Sequence, residues 1–303
     1  MAVIDAQVHV WGAETAERPW APGGAERARR HGAGLPSFSA DELLAEMDAA
    51  GVDGAVLVPP SFEGEHNDLV LDAAARHPSR FAAMGRVPLD RPDDATRIVR
   101  TWREHPGAIG FRCTFSAGFN SMKKVSTSWL EDGTADWFWP VAAEYGTPVM
   151  LNCPKQFAAV RRVAASNPDL RIVIDHLGLG SAREEQVPAV IDDLLTLADQ
   201  PNIAVKASAL PCYTSELYPY GSLQAQVERV VGAFGAARVF WGSDLTRLPC
   251  TYETLVRLFK EELPFLSADD RRLILGDGLV EWLGWDRGER AGATGVQHGH
   301  VPA

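Results

Sequence analysis

Eight short β-type apolar runs, at 2–10, 53–58, 80–86, 107–112, 148–152, 170–175, 202–206 and 238–242, alternate along the chain with amphipathic stretches of helical period. A strand that returns parallel to its neighbour needs a crossover, usually a helix, so this alternation predicts a parallel sheet. Eight such units favour closure into a single-domain (β/α)8 TIM barrel over the alternative, an open doubly wound sheet. The 303 residues, 46% of them hydrophobic, are enough for a barrel of about 250 residues with one large core. Helix punctuation agrees: in "SADELLAEMDAAG", Ser39 can cap, Asp41 and Glu42 suit the positive helix end, and Gly51 can stop the helix. The barrel is expected over 1–285, with long connections at 11–38 and 113–133. Both connections leave the C-terminal ends of their strands, where barrel enzymes place their active sites. The Gly-rich, aperiodic stretch 286–303 reads as a tail, and His298 and His300 as tail residues.

The formal net charge of −11 argues against a nucleic-acid surface, which needs clustered Lys and Arg. A small uncharged or anionic ligand is compatible with it if basic residues line a pocket. No apolar run reaches membrane-spanning length, and the first strand begins too early to leave room for a signal-peptide core, so a cytoplasmic protein is expected. Cys113, Cys153, Cys212 and Cys250 are scattered and read as free thiols rather than a disulfide framework. A homo-oligomer stays open.

Chemistry-bearing residues gather at strand ends. "VIDAQVHVWG" alternates, placing Asp5, Gln7 and His9 on one face and Ala6, Val8 and Val10 on the other, so Gln7 and His9 should point into the barrel near its mouth. "RIVIDHLG" ends the sixth strand with Asp175 and His176 before a turn at Gly178; Asp175 can equally be a turn or cap residue and His176 a core histidine. "VFWGSDLT" ends the eighth with Asp244, whose bland reading is a helix cap. Two histidines and an aspartate at the ends of strands one, six and eight converge on one mouth. Arg112 ends the fourth strand and suits a substrate carboxylate or carbonyl, or an internal salt bridge. Lys206 and Ser208 end the seventh, and Arg247 follows Asp244 by three residues. Three cations around one mouth favour an anionic small-molecule substrate. The aromatics of "WLEDGTADWFWP" read as helix packing, with Trp129 a candidate cover for the mouth.

"IDAQVHVW", "VIDHLG" and "FWGSD", in that order and spacing, resemble the amidohydrolase-related (amidohydrolase family 2) barrel hydrolases, in particular the branch with sugar lactonases and pyrone dicarboxylate lactonase; the resemblance runs from residue 3 to about 284. It implies catalytic roles for His9, His176 and Asp244, with the same three as ligands if a metal binds, and a substrate-facing role for Arg112. The chain departs from the family pattern at Gln7, which replaces the first histidine of a His-x-His pair, and at Asn152, which stands where a fifth-strand ligand would be. An amide oxygen is a poor ligand for Zn²⁺, so the expected cofactor is none, or one weakly held divalent ion, Zn²⁺ or Mn²⁺. Cys153 could in principle supply a ligand, but as the neighbour of Asn152 on a strand it faces the other way and reads as a buried thiol. The expected activity is opening of a lactone or similar activated cyclic ester. Asp244 would assist water, His9 and His176 would polarise or shuttle, Gln7 and Asn152 would donate to the oxyanion, and Arg112, Lys206 and Arg247 would hold the substrate. A metal-dependent decarboxylase and a non-catalytic ligand-binding relative are the alternatives.

Overall fold

The computed structural model describes residues 1–31, 34–116 and 126–288. Parts of both long connections and the stretch 289–303, with His298 and His300, lie outside the described residues. The strands are β1 (Ile4–Val8), β2 (Gly54–Leu57), β3 (Phe81–Gly85), β4 (Ala108–Thr114), β5 (Val149–Asn152), β6 (Ile172–Ile174), β7 (Ile203–Ser208) and β8 (Val239–Gly242). They pair in parallel in the order β1 to β8 with helices between, forming the (β/α)8 barrel. Six of them fall within the stretches expected for them. β4 and β7 run two residues past the expected ends, because Thr114 pairs with Asn152 and Ser208 with Gly242, so polar side chains at the mouth are carried on regular strand.

The barrel interior is filled by apolar side chains such as Ile4, Ala6, Val56, Met84, Ile109, Val173 and Phe240, and Leu279, Leu283 and Trp285 close its N-terminal end. A larger cluster packs the outer faces of the strands against the helices. The helix Ala40–Ala50 shows how local signals set its ends: Ser39 and Glu42 form a reciprocal capping box, and Gly51 adopts a left-handed φ of 68°. Phe138 and Trp139 are buried in the outer cluster, and Trp129 is half-buried against it. Cys113, Cys153, Cys212 and Cys250 are free thiols. Among the described residues no helix is long and apolar enough to cross a membrane.

One expectation is corrected at β1. Three residues of β1, from Asp5 to Val8, span only two of β2, from Ala55 to Leu57, so the strand carries a bulge. A bulge adds one residue and inverts the alternation beyond it. Asp5 therefore faces outward, where its carboxylate meets Tyr252 of the helix Tyr252–Glu261, while Gln7 and His9 border the cavity at the mouth. Asp5 and Gln7 do not share a face.

Candidate active site

A cavity of about 450 Å³, its open mouth included, lies at the C-terminal end of the barrel. Its lining includes Gln7 and His9 from β1, Arg112 from β4, Asn152 from β5, His176 after β6, and Asp244 and Arg247 after β8. Of the candidate residues, Lys206 is not among the lining side chains. Trp11, Pro60, Ser61, Phe62 and Thr246 complete the wall. Sequence reasoning missed these five; for Pro60, Ser61 and Phe62 the available signal was "VPPSFEG", with one aromatic between prolines and glycine at the end of β2. Trp11 and Phe62 meet edge to face, with centroids 5.5 Å apart, and make one side of the cavity apolar.

Hydrogen bonding fixes the histidine tautomers. The Nδ1–H of His9 donates to the Val58 carbonyl at 2.6 Å, which turns Nε2 toward Asp244 Oδ1 at 3.0 Å. Lys206 can only donate, and it donates to Gln7 Oε1, so the Gln7 amide must present its NH2 to His176 Nε2, 3.4 Å away. His176 Nε2 therefore accepts, and its Nδ1–H donates to Ser208 Oγ at 2.7 Å. The imidazole is neutral. Burial, the largest influence, agrees: it pushes His176 down to about 4 against the opposing charges of Asp244 and Asp175.

Asp244 is 2% exposed and sits in a left-handed conformation with φ 55°. His176 and Leu177 share that conformation with φ 51° and 52°. Non-glycine residues tolerate it at a cost of about 1–3 kcal/mol each, and such strain concentrates at functional sites. Asp244 occupies the N-cap position of the turn Leu245–Arg247, but its side chain makes no capping bond to it. Its Oδ2 accepts from Arg247 Nη1 at 3.0 Å, and Oδ1 has no hydrogen-bond partner among the described residues, since His9 Nε2 approaches it outside hydrogen-bonding geometry. Burial alone would raise this carboxyl, but His9 and Arg247 outweigh it and hold it well below the usual range.

Behind the cavity lies a second charged group. Asp175 accepts from Arg112 Nε at 2.8 Å and lies 2.5 Å from Lys206 Nζ. Arg112 is 4%, Asp175 2% and Lys206 0% exposed. Burial acts to raise Asp175, yet Lys206 and Arg112 keep it ionised, far below an ordinary aspartate. Arg112 is thus both the internal ion pair and the cavity-lining group. Asp175 is the anchor that orders both cations, a role that its turn-like sequence context did not reveal.

These donors fit a resident divalent cation poorly. Among the described residues no group of three or more His, Cys, Asp or Glu is disposed to hold a metal ion. The Gln7 oxygen is taken by Lys206, its NH2 faces the His176 lone pair, and one Asp244 oxygen is held by Arg247. Cys153 is packed in the outer cluster, where burial pushes its thiol up, and it supplies no ligand.

The chain is 27% identical over 248 residues to L-fucono-1,5-lactonase of Burkholderia ambifaria, covering 80% of this chain and 79% of that protein. In fold it resembles a zinc-bound amidohydrolase from Burkholderia multivorans, with a TM-score of 0.75 and 19% identity over 94% of this chain and 100% of that one. It also resembles a Pseudomonas putida protein described as a 2-pyrone-4,6-dicarboxylic acid hydrolase, with a TM-score of 0.67, 24% identity and coverage of 94% and 98%. The same fold carries decarboxylation in the manganese-bound dihydroxybenzoic acid decarboxylase of a Polaromonas species, with a TM-score of 0.65, 14% identity and coverage of 93% and 97%. The family's own sequence pattern matches residues 4–278, and the chain belongs to the amidohydrolase family.

Proposed function

We propose that the protein hydrolyses a lactone or similarly activated cyclic ester of an anionic small molecule, with Asp244 assisting the attack of water and without dependence on a tightly held metal. The observation that carries this reading is Asp244 Oδ1, a buried carboxylate oxygen without a hydrogen-bond partner, beside His9 Nε2 on the wall of the cavity. Such an oxygen is costly unless a ligand or a reacting water donates to it.

The chemistry follows from what a carboxylate can do. Zn²⁺ lowers the pKa of bound water from about 15.7 to about 7, and an aspartate held well below its usual range cannot replace that by making free hydroxide. It can take the proton while the C–O bond forms, provided that the carbonyl is activated by ring strain or a good leaving group. In the first step water oxygen bonds to the lactone carbonyl carbon, its proton passes to Asp244, and the carbonyl electron pair moves onto oxygen. Gln7 and Asn152 donate N–H groups to this oxyanion. In the second step the ring C–O bond breaks, the carbonyl reforms, and the leaving oxygen takes the proton back from Asp244 through His9. The sum is addition of one water. Arg112 and Arg247 hold the substrate's negative charge, while Lys206 acts from behind by orienting Gln7 and loading positive potential onto the oxyanion side.

The cluster of Arg112, Lys206 and Arg247 also gives a decarboxylase reading a cationic sink for developing carbanion charge. A panel of anionic lactones and aromatic carboxylates in ¹⁸O-water separates the two. Ring opening with one ¹⁸O in the new carboxylate, insensitive to chelator, is expected. Release of CO2 without ring opening, or activity lost on chelation and restored by one equivalent of Zn²⁺, overturns the hydrolytic, metal-independent reading. Binding of the panel without any turnover points to the non-catalytic relative.

A further inference from the structure

We infer that Asp5 is a positioning residue whose carboxylate joins β1 to β8 and fixes the register in which Gln7, His9 and Asp244 enter the cavity. Only the catalytic consequence rests on the hydrolytic reading above.

The barrel's paired strands run from β1 to β8, and the seam between those two end strands is where closure has to be made. Across it Asp244 N donates to Gln7 O at 3.0 Å. Beside that bond the Asp5 side chain does what a strand carbonyl would otherwise do: Oδ1 accepts from Gln7 N on its own strand at 2.9 Å and from Ser243 N at the end of β8, also at 2.9 Å. One oxygen thus serves an N–H from each side of the seam. Oδ2 accepts from Tyr252 O–H at 2.6 Å, and the Tyr252 ring lies parallel to Trp241 of β8, 17° from coplanar. Asp5 is 0% exposed, so none of these donors has water as a substitute partner. The neighbouring residue of β8 is accommodating for the same reason. A Cβ at Gly242 would stand 3.2 Å from Asp5 Oδ1 and 3.1 Å from the Ser208 Cβ, tighter than ordinary contact, so a side chain there would crowd the carboxylate.

The bulge in β1 lies between Asp5 and Val8, directly over this carboxylate. By taking up the Gln7 N–H, Asp5 removes that group from the ladder with β2 and lets the strand carry its extra residue. The extra residue is what turns Gln7 and His9 into the cavity. The same oxygen pins the peptide before Asp244. Loss of the carboxylate leaves two buried N–H groups unpaired and frees both strand ends at once. The geometry of Gln7, His9 and Asp244 then loosens together, while Arg112 and Asn152, on β4 and β5, keep their places.

The test compares Asp5→Ala, Asp5→Asn, Tyr252→Phe and Gly242→Ala in the full chain. Two measurements are made: hydrogen exchange of the segments 4–10 and 240–246, and kcat and KM on a hydrolysed lactone well below each variant's melting temperature. Asp5→Ala is expected to lower kcat roughly 100-fold with KM changed by less than about threefold, the scale of a small misplacement of reacting groups. Exchange should accelerate at both segments together, by about tenfold or more. Asparagine keeps an oxygen for both N–H groups and offers its NH2 to the Tyr252 oxygen, so Asp5→Asn should recover kcat to within about fivefold and restore protection in both segments. Tyr252→Phe leaves Oδ1 untouched and should cost only about two- to fivefold in kcat. Gly242→Ala pushes a methyl toward Oδ1 and should reproduce the alanine result in direction at both segments. The inference is overturned if Asp5→Ala lowers the melting temperature and leaves kcat intact, if exchange rises on only one side of the seam, or if Asp5→Asn fails to fold or restores nothing. Exchange is read without substrate, so absence of lactone turnover in the parent protein defeats the hydrolytic reading and leaves the seam decided by exchange alone.

Discussion

The two ends of this barrel solve burial in opposite ways. At the N-terminal end Leu279, Leu283 and Trp285 plug the interior with apolar side chains that make no demand on charge. At the mouth Asp175, Lys206, Arg112, His176 and Asp244 are at most 4% exposed, and each carries or neighbours a charge. Apolar burial is forgiving because it depends on area and volume, whereas a buried charge is tolerated only with its partners in place. The mouth is therefore a set of interlocked dependencies. Its side chains should fail by different signatures from those of the plug.

The largest effect should come from Asp244→Asn. The amide fits the same volume and cannot accept a proton at neutral pH, so the protein should fold while kcat falls roughly 10²–10⁴-fold, as steady-state kinetics on the hydrolysed lactone would show. An unchanged kcat removes Asp244 from the reaction. Next comes Asp175→Ala, which leaves Lys206 and Arg112 buried without their anion and should cost about 3–5 kcal/mol in a denaturant titration, together with most of the activity. Leu283→Ala at the plug should cost a similar 2–5 kcal/mol or so, yet leave kcat of the folded protein unchanged. Equal kinetic losses for the two variants would break the contrast between the ends.

A smaller effect is a pH dependence. His176 binds a proton near 6.5 when unfolded and only near 4 when folded, so its contribution to stability is complete above 6.5 and is lost as pH falls from 6.5 toward 4. That loss is at most about 3 kcal/mol, and His176→Asn should flatten this part of the stability curve measured by denaturant titration from pH 7 to 4. The smallest effect concerns metal: chelation should change kcat by less than about twofold, and Gln7→His should raise affinity for added Zn²⁺, measured by calorimetry, because imidazole replaces an amide. Abolition of activity by chelator would mean that the mouth depends on a cation after all.

Much of the secondary structure and little of the interlocking was legible beforehand. Ser39, Glu42 and Gly51 act within one helix, and their roles followed from local rules. His9, His176, Asp244, Arg112 and Asn152 could be placed at the mouth because strand ends of a barrel share one face. The orientation of Gln7 could not be reached, because it depends on Lys206, 199 residues away. Nor could the outward turn of Asp5, since simple alternation assumes an unbulged strand and the bulge lies in the pairing with β2.

Eight alternating apolar runs and helices, whose periodicity and caps are short-range, specify the barrel without reference to tertiary contacts. The sequence also carried His9, Arg112, Asn152, His176 and Asp244 to the mouth, as strand-end residues of a barrel. Tertiary structure alone decided the charge pairing around Asp175, the tautomer of His176 and the seam at Asp5, because each depends on atoms brought within about 3 Å from distant strands, where hydrogen bonds select one arrangement and burial penalises the rest.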